Sequence, residues 1–279
     1  MTYLKMIKNA EKYVQENNKE IYAVKWLFLN CPYFPGYGKL NEDVPENVYN
    51  YFNDLIKRYV VDKIPPQYLL NKAFFFNYEF YVDEGCFIPR NETEQLVEET
   101  IYRIDDLFKN KQIEIADVCC GSGIIGITLK KEIENCHVTM CDISSSALEI
   151  VKKNALKNKA DVEIIQGDFI EPILNKKIKY DVIVCNPPYI KNDEILDEMV
   201  VDHEPKIALF GGVDGLDFYR IIFKNYSLLI KEKGFMAFEF GYDQKDALEN
   251  LIKELLPNHK YEFLKDYNNK YRMLFIYNN

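Results

Sequence analysis

The chain has 279 residues, of which 48% are hydrophobic and 28% are charged, a usage typical of folded globular proteins rather than disordered ones. Its 44 acidic and 35 basic residues give a net charge of −9, which argues against the broad basic field of a protein that wraps duplex nucleic acid. The length exceeds that of a typical single domain, so we expect one large domain with a smaller companion.

The start of the chain and its cysteines favour a cytoplasmic protein. Residues 1–6 include no long apolar segment, and the sequence contains no run of about 18 apolar residues. The seven cysteines form no Cys-x-x-Cys pair and have no histidines at zinc spacing. We therefore expect a cytoplasmic protein that does not bind membranes and has neither a disulfide framework nor a metal site.

The first 72 residues are predicted to form a small helical domain. Apolar residues recur at spacings of three and four in segments 2–16, 20–29 and 44–61, and Thr2 can cap the first helix. Prolines and glycines separate these segments. Such a domain would either only stabilise the rest of the chain or dock a macromolecular substrate, and the pattern itself fits both.

Residues 73–90 are predicted to form a β-hairpin connector, because aromatic and β-branched side chains alternate there and Asp83–Gly85 is a turn signal. Residues 91–279 then alternate between strand and helix patterns. Strands are predicted at 113–118, 138–142, 162–166, 180–185, 234–240, 261–266 and 271–277. Helices are predicted at 92–108, 124–133, 144–157, 216–230 and 244–255. This alternation predicts an α/β fold, a mostly parallel sheet with helices on both faces, whose ligands bind beyond the carboxyl ends of the strands.

The first strand of this domain leads into a glycine-rich turn, Asp117-Val118-Cys119-Cys120-Gly121-Ser122-Gly123. Gly121 and Gly123 allow a tight turn and a close approach of the backbone to a ligand. The helix that follows directs its N-terminal amides toward electron-rich groups. Together with Gly126, the spacing matches a dinucleotide-binding fingerprint, although an ordinary strand-to-helix turn has the same pattern.

Two further carboxylates follow the next two strands. Asp142 lies 21 residues after Gly121, a spacing suited to hydrogen bonds from ribose hydroxyls. Asp168 can accept a hydrogen bond from an adenine amine while Phe169 packs on the base. Either aspartate alone would more often be a helix cap or a turn residue. At the ends of successive strands they predict an adenosine pocket.

Asp117 discriminates between two adenosine-containing ligands. It lies within a strand that is wholly apolar in the usual dinucleotide version of the motif. A carboxylate there would repel a pyrophosphate but would attract a ligand with ammonium and sulfonium cations. The charge therefore favours S-adenosylmethionine over NAD.

The sequence Asn186-Pro187-Pro188-Tyr189 ends the fourth strand, beside this predicted pocket. A planar amide or aryl amine is a poor nucleophile, because its nitrogen lone pair is delocalised. The Asn186 side-chain oxygen and the Pro187 carbonyl can accept hydrogen bonds from both N–H groups of such a nitrogen. These hydrogen bonds help to localise its lone pair. The prolines hold the segment rigid, and Tyr189 can orient the flat acceptor group. The alternative is a proline-terminated strand that merely enters a turn.

These motifs resemble those of class I S-adenosylmethionine-dependent methyltransferases that modify amino nitrogens. A narrower resemblance is to the PrmC/HemK family of release factor glutamine methyltransferases. It rests on the segments Ile88-Pro89-Arg90-Asn91-Glu92-Thr93-Glu94, Pro65-Pro66-Gln67-Tyr68, Glu204-Pro205-Lys206-Ile207-Ala208-Leu209, Gly211 to Arg220, and Glu239-Phe240-Gly241 with Gln244. The resemblance extends from about residue 60 to the C-terminus.

The resemblance implies a Rossmann-like seven-stranded methyltransferase domain at 91–279 and a substrate-docking domain at 1–72. It assigns S-adenosyl-L-methionine, with S-adenosyl-L-homocysteine as the product, to Asp117, the loop Cys119–Gly123, Asp142, Asp168, Phe169 and Asn186. Asn186, Pro187, Pro188 and Tyr189 would bind the substrate glutamine, in the Gly-Gly-Gln motif of peptide chain release factors. The partner would thus be a protein and not nucleic acid, and we expect a monomeric enzyme.

The chain departs from the family pattern at several of these positions. Asn91 stands where proline is usual, Cys119-Cys120 replace a small residue and threonine, and Phe169 stands where tryptophan is common. These changes bear on loop rigidity and ligand affinity. They leave Asn186 to Tyr189 intact.

Three alternatives remain open at this point. A DNA or RNA amino-methyltransferase acting on adenine N6 or guanine N2 faces the same chemical problem, but the acidic balance and the lack of a base-reading domain argue against it. A ribosomal-protein glutamine methyltransferase is a close variant of the main prediction. A nucleotide-binding or NAD-dependent protein would use the glycine-rich turn differently.

Overall fold

The computed structural model describes residues 1–109 and 111–278. Contacts divide the chain into two compact units, one comprising residues 1–72 with 196–203 and the other residues 73–195 with 204 onward. No helix within the described ranges combines the length and the apolar character needed to cross a membrane.

The first unit is a helical bundle around its own apolar core. Its helices are α1 (Tyr3–Glu16), α2 (Tyr22–Asn30), α3 (Glu46–Val60) and α4 (Pro66–Leu70), together with a later helix, α9 (Glu198–His203). Thr2 caps α1 as predicted, since its side chain accepts a hydrogen bond from the Lys5 amide. The apolar stripe of α3 buries Phe52 and Leu55. Periodic apolar spacing therefore produces this core directly.

The second unit begins with an antiparallel hairpin of β1 (Ala73–Phe75) and β2 (Tyr78–Phe80). Phe76 and Asn77 form its turn with φ angles of 52° and 66°, a conformation that Asn tolerates well. The turn signal at Asp83–Gly85 lies beyond the hairpin, where Cys86 donates its amide to the Asp83 carbonyl. The hairpin is therefore shorter than predicted.

Strands and helices alternate through the rest of this unit. The strands are β3 (Ile113–Val118), β4 (Cys136–Asp142), β5 (Glu163–Gln166), β6 (Tyr180–Cys185), β7 (Ile230–Glu239), β8 (Lys260–Lys265) and β9 (Tyr271–Tyr277). The helices are α5 (Asn91–Phe108), α6 (Ile124–Glu132), α7 (Ser145–Asn158), α8 (Glu171–Asn175), α10 (Asp217–Lys224), α11 (Tyr226–Leu229) and α12 (Lys245–Leu255). The predicted helix at 216–230 is thus divided in two at Asn225.

Within the described residues, seven strands form one sheet in the order β5-β4-β3-β6-β7-β9-β8. Neighbours from β5 to β7 run parallel, and β9 is antiparallel to both β7 and β8. The order reverses between β3 and β6, which is where α/β folds of this kind bind ligands. The predicted fold class, a mostly parallel sheet, is therefore confirmed.

Side chains alternate between two apolar layers along the central strands. In β3, Ile113 and Ile115 join the layer that contains α5 to α7, whereas Ala116 and Val118 join the layer that contains α10 to α12. The same alternation holds in β6 for Val182 and Ile183. Both faces of the sheet are covered, which is why these strands appear in the sequence as continuous apolar runs.

Candidate active site

The register of the sheet brings the predicted motifs together at one edge. Val118, the last residue of β3, pairs with Cys141 on one side and with Cys185 on the other. The residues that follow these pairs, Cys119, Asp142 and Asn186, therefore leave the sheet side by side. Asp142 in turn pairs with Gln166, two residues before Asp168. Parallel pairing places the carboxyl ends of the four strands at the same edge.

A cleft of about 1180 Å³, part of it open to solvent, lies at this edge. Most predicted site residues line it, namely Cys119, Cys120, Gly121, Ser122, Asp142, Asp168, Phe169, Asn186, Pro187, Pro188 and Tyr189. Other lining residues were not predicted, including Phe87, Ile143, Ile207 and Phe218. Asp117 and Gly123 were predicted to bind the cofactor but are not part of the lining.

The glycine-rich loop adopts the strained conformation that its sequence suggests. Gly121 and Gly123 have φ angles of 53° and 84°, and Cys119 has a φ of 58°, unusual for a residue with a side chain. Asn154 on α7 supports the loop, because its side-chain amide donates to the Ser122 carbonyl at 2.9 Å. This fully buried amide was not predicted from the sequence, because its position within a helix gives no sign of such a role.

Asp142 holds the loop in place as well as facing the cleft. Its carboxylate accepts the Gly121 amide and the Ser144 amide, each at 2.9 Å. Ser144 itself caps α7 by accepting from the Ala147 amide. Burial raises the pKa of Asp142 above its ordinary value, although the backbone hydrogen bonds oppose that shift. Its carboxylate thus supports the loop and also has the position expected of a ligand-binding group.

Phe169 provides an apolar wall beside Asp168. It is buried, and its ring meets that of Phe218 edge to face at a centroid distance of 4.9 Å. Phe218, on α10, also lines the cleft. The pair forms a rigid aromatic corner of the kind on which a flat base can pack.

Asp117 lies beneath the glycine-rich loop instead of facing the cleft. It is fully buried, its Oδ2 accepts the Gly126 amide at 2.8 Å, and its Oδ1 has no hydrogen-bond partner. Burial raises its pKa to about 8, so the carboxyl is mostly protonated at neutral pH. At neutral pH Asp117 therefore has little of the negative charge on which the preference for S-adenosylmethionine over NAD was based. Direct contact of Asp117 with a ligand stays a prediction.

The segment Asn186-Pro187-Pro188-Tyr189 is held from several directions. Asn186 donates its side-chain amide to Thr93 Oγ1 at 3.3 Å, and the Tyr189 hydroxyl donates to Glu239 Oε1 at 3.3 Å. The Gln244 side chain donates to the Tyr189 carbonyl at 2.8 Å. Burial beside the Glu239 charge raises the pKa of Tyr189 well above its ordinary value, so the phenol keeps its proton.

Two glycines contact the backbone of this segment closely. A Cβ on Gly211 would lie 2.4 Å from the Pro188 carbonyl oxygen, and one on Gly215 would lie 2.2 Å from the Tyr189 carbonyl oxygen. Gly211 also donates its amide to the Ile190 carbonyl at 2.8 Å. Gly211 therefore packs directly against the tetrapeptide Asn186–Tyr189.

The connector after the hairpin also lines the cleft, through residues that include Phe87 and Pro89. Arg90 donates to Glu204 Oε1 at 2.5 Å, and the Ile88 amide donates to Glu204 Oε2 at 3.1 Å. Glu204 is 4% exposed, and the residues after it, Pro205 to Leu209, line the cleft except for Lys206. This ion pair therefore joins two cleft walls that are distant in sequence.

Comparison with known proteins identifies the family. Residues 100–205 match the family model described as methyltransferase small domain. The chain is 35% identical over 280 residues to the release factor glutamine methyltransferase of Bacillus cereus, covering 99% of each chain. It is 36% identical over 282 residues to the Bacillus subtilis protein of that name, covering 98% of this chain and 96% of the relative.

The fold is also similar to that of a solved protein whose sequence is only distantly related. The hMettl16 catalytic domain, solved in complex with a MAT2A 3'UTR hairpin, has a TM-score of 0.56 at 13% identity and covers 92% of this chain and 89% of its own. Likeness at that identity shows a shared methyltransferase fold. The relatives in sequence are more specific, since they match nearly the whole chain, and they confirm the resemblance noted in its motifs. The chain belongs to the release factor glutamine methyltransferase family.

Proposed function

We propose that this protein transfers a methyl group from S-adenosyl-L-methionine to the side-chain amide nitrogen of the glutamine in the Gly-Gly-Gln motif of peptide chain release factors. The observation that carries the proposal is the position of Asn186 to Tyr189 in the same cleft as Asp142 and Asp168. This places acceptors suited to a planar amide beside carboxylates suited to adenosine. Relatives that share nearly its whole length carry the corresponding name.

The cleft residues fit the proposed methyl donor. Asp142 presents a carboxylate for ribose hydroxyls, Asp168 one for the adenine amine, and Phe169 with Phe218 an apolar corner for the base. A Cβ added at Gly121 would meet no atom within 4 Å, so the backbone there lies open to a ligand. When bound, the donor supplies an electrophilic methyl group on a sulfonium ion.

The tetrapeptide would orient the acceptor. The Asn186 side-chain oxygen and the Pro187 carbonyl would accept hydrogen bonds from the two N–H groups of the glutamine amide. Neither proline has an N–H group that competes for these oxygens. Tyr189 would pack on the amide plane, and holding it in near-attack geometry lowers the barrier. Burial raises the pKa of Cys120 and Cys185, so these nearby thiols stay protonated and are poor competing nucleophiles.

Nucleic-acid methylation is the weaker candidate. The structurally similar hMettl16 domain, solved with a MAT2A 3'UTR hairpin, shares the fold at only 13% identity. A likeness in fold at that identity does not indicate a shared substrate. The Bacillus relatives match 99% and 98% of the chain, the helical unit included. The sequence relatives therefore favour a release factor over adenine N6, guanine N2 or a ribosomal protein.

The other proposed features concern the setting of the reaction. We infer that the helical unit at 1–72 docks the release factor and that 91–279 carries out the transfer, with the connector at 73–90 between them. We also infer that the enzyme is a monomer that acts in the cytoplasm, without direct contact to nucleic acid.

The test is a methylation assay with isotope-labelled S-adenosyl-L-methionine and a purified release factor. The expected result is one methyl group, located by mass spectrometry, on the glutamine of the Gly-Gly-Gln loop. A release factor with asparagine at that position should stay unlabelled, because the shorter side chain does not reach the tetrapeptide. Labelled RNA, DNA or ribosomal protein, with an unlabelled release factor, would overturn the proposal.

A further inference from the structure

Asn186 can serve the proposed reaction only when its oxygen, and not its nitrogen, faces the substrate amide. The two ends of a carboxamide have nearly the same shape, so packing alone does not distinguish them. Its orientation must therefore be set by the hydrogen-bond partners behind it. In this structure that partner is Thr93, which lies 3.3 Å from Asn186 Nδ2.

Thr93 is in turn bound to a buried carboxylate. Its hydroxyl lies 2.6 Å from Glu239 Oε2, and both side chains are almost inaccessible, with Thr93 1% and Glu239 2% exposed. The Thr93 hydroxyl donates its single hydrogen to this Glu239 oxygen. The Thr93 oxygen can then only accept. Asn186 must consequently turn its NH₂ group toward Thr93.

We propose that Glu239 is a positioning residue whose carboxylate, acting through the Thr93 hydroxyl, fixes the orientation of the Asn186 carboxamide and so presents its oxygen to the substrate. The same carboxylate also accepts the Tyr189 hydroxyl at 3.3 Å. One buried group thereby holds both ends of the tetrapeptide. This inference rests on the proposed function, because it assigns the Asn186 oxygen a substrate.

The surroundings of Glu239 hold its carboxylate in place. The Glu239 backbone carbonyl accepts a hydrogen bond from the Tyr219 hydroxyl at 2.6 Å. In the sheet, Glu239 on β7 pairs with Met273 on β9. Burial raises the pKa of Glu239, and the charge of Glu92 acts in the same direction. The hydrogen bonds from Thr93 and Tyr189 and the positive charge of Arg272 oppose that shift.

Variants of Glu239 and Thr93 test the inference. Glu239→Gln keeps the shape but introduces a donor that allows the opposite order of hydrogen bonds, and Thr93→Val removes the hydroxyl. Both should lower kcat about 100-fold, the usual effect of losing one aligned group in a polar transition-state site. The KM for release factor and the affinity for S-adenosyl-L-homocysteine should change less than about threefold. Thr93→Ser should restore most of the kcat that Thr93→Val loses.

Thr100→Val is the matched control. Thr100 lies on the same helix and is fully buried, but its hydroxyl donates only to the Leu96 carbonyl, at 2.6 Å. Its kcat should match that of the unchanged enzyme. Equal losses in Thr93→Val and Thr93→Ser, or a kcat within about threefold of normal in Thr93→Val, would overturn the inference. If Glu239→Gln does not fold, the two Thr93 variants still decide the matter.

A second measurement separates this inference from the proposed function. The side-chain amide signals of Asn186 can be assigned by NMR from their loss in Asn186→Asp. They should shift in Thr93→Val and stay in place in Thr100→Val, whether or not release factor is the substrate. Unmoved signals in Thr93→Val would refute only the orientation of Asn186 by Glu239 through Thr93. An unlabelled release factor would refute only the proposed function.

Discussion

Gly211 packs so closely on Pro188 that a Cβ at position 211 would stand 2.4 Å from the Pro188 carbonyl oxygen. We therefore expect Gly211→Ala to displace the tetrapeptide backbone. Overpacking of this kind costs about 1–3 kcal/mol of unfolding free energy. A displacement of about 1 Å in a reacting group reduces kcat up to about 100-fold. Chemical denaturation and the release factor assay measure the two effects.

Gly38→Ala serves as the control for that change, because an added Cβ there meets no atom within 4 Å. Its unfolding free energy and kcat should stay close to those of the unchanged protein. If Gly211→Ala behaved like Gly38→Ala in both measurements, the close packing on Pro188 would have no functional weight.

The second prediction concerns Asp142. Asp142→Ala removes the acceptor of the Gly121 and Ser144 amides together with the proposed acceptor of the ribose hydroxyls. Hydrogen bonds to a charged group contribute about 1.5–3 kcal/mol, so the affinity for S-adenosyl-L-homocysteine should fall at least about tenfold. Isothermal titration calorimetry measures it. Asp105→Ala, an exposed position with the same loss of charge, should leave the affinity unchanged; an equal affinity for both variants would contradict the assignment of Asp142.

The third prediction contrasts a buried and a surface ion pair. Glu204→Ala leaves the Ile88 amide without its acceptor and Arg90 without its partner, so the unfolding free energy should fall by about 2 kcal/mol. Glu149→Ala removes an exposed pair with Lys152 and should leave the unfolding free energy nearly unchanged. Thermal and urea unfolding compare the two variants. Similar losses in both would show that the Arg90–Glu204 contact is no more important than a surface pair.

The fourth prediction follows from the raised pKa of Asp117. In the folded protein this carboxyl keeps its proton up to about pH 8, whereas in the unfolded chain it loses it near pH 4. Between these values the folded state binds more protons, so the contribution of Asp117 to stability is present below about pH 4 and is lost as the pH rises toward about 8.

Asp117→Asn tests this point, because the amide oxygen can still accept from Gly126 but does not titrate. The stability of the variant relative to the original protein should rise as the pH increases from about 4 to about 8, measured by urea unfolding at each pH. A difference that stays constant over this range would mean that Asp117 is ionised throughout. That result would restore the charge argument made from the sequence.

Much of the fold and site was predictable because it depends on local patterns. Apolar runs located β3 and β6 to the residue, and the motif residues Asp142, Asp168 and Asn186 lie at strand ends or within two residues of them. Parallel strands present their carboxyl ends at the same edge, so these residues had to lie close together. The short helices α8 and α9 were missed, because five or six residues are too few for a helical period to stand out.

The sequence by itself located the candidate site, since Asp142, Asp168 and Asn186-Pro187-Pro188-Tyr189 carry hydrogen-bond acceptors at or just after strand ends. Only the tertiary structure decided which of these groups keep a charge and which way they point. Burial protonates Asp117, and Glu239, 53 residues after Asn186, sets the orientation of the Asn186 amide through Thr93. The reason is physical: a pKa and a hydrogen-bond direction depend on neighbours that chain folding supplies, and local patterns do not encode them.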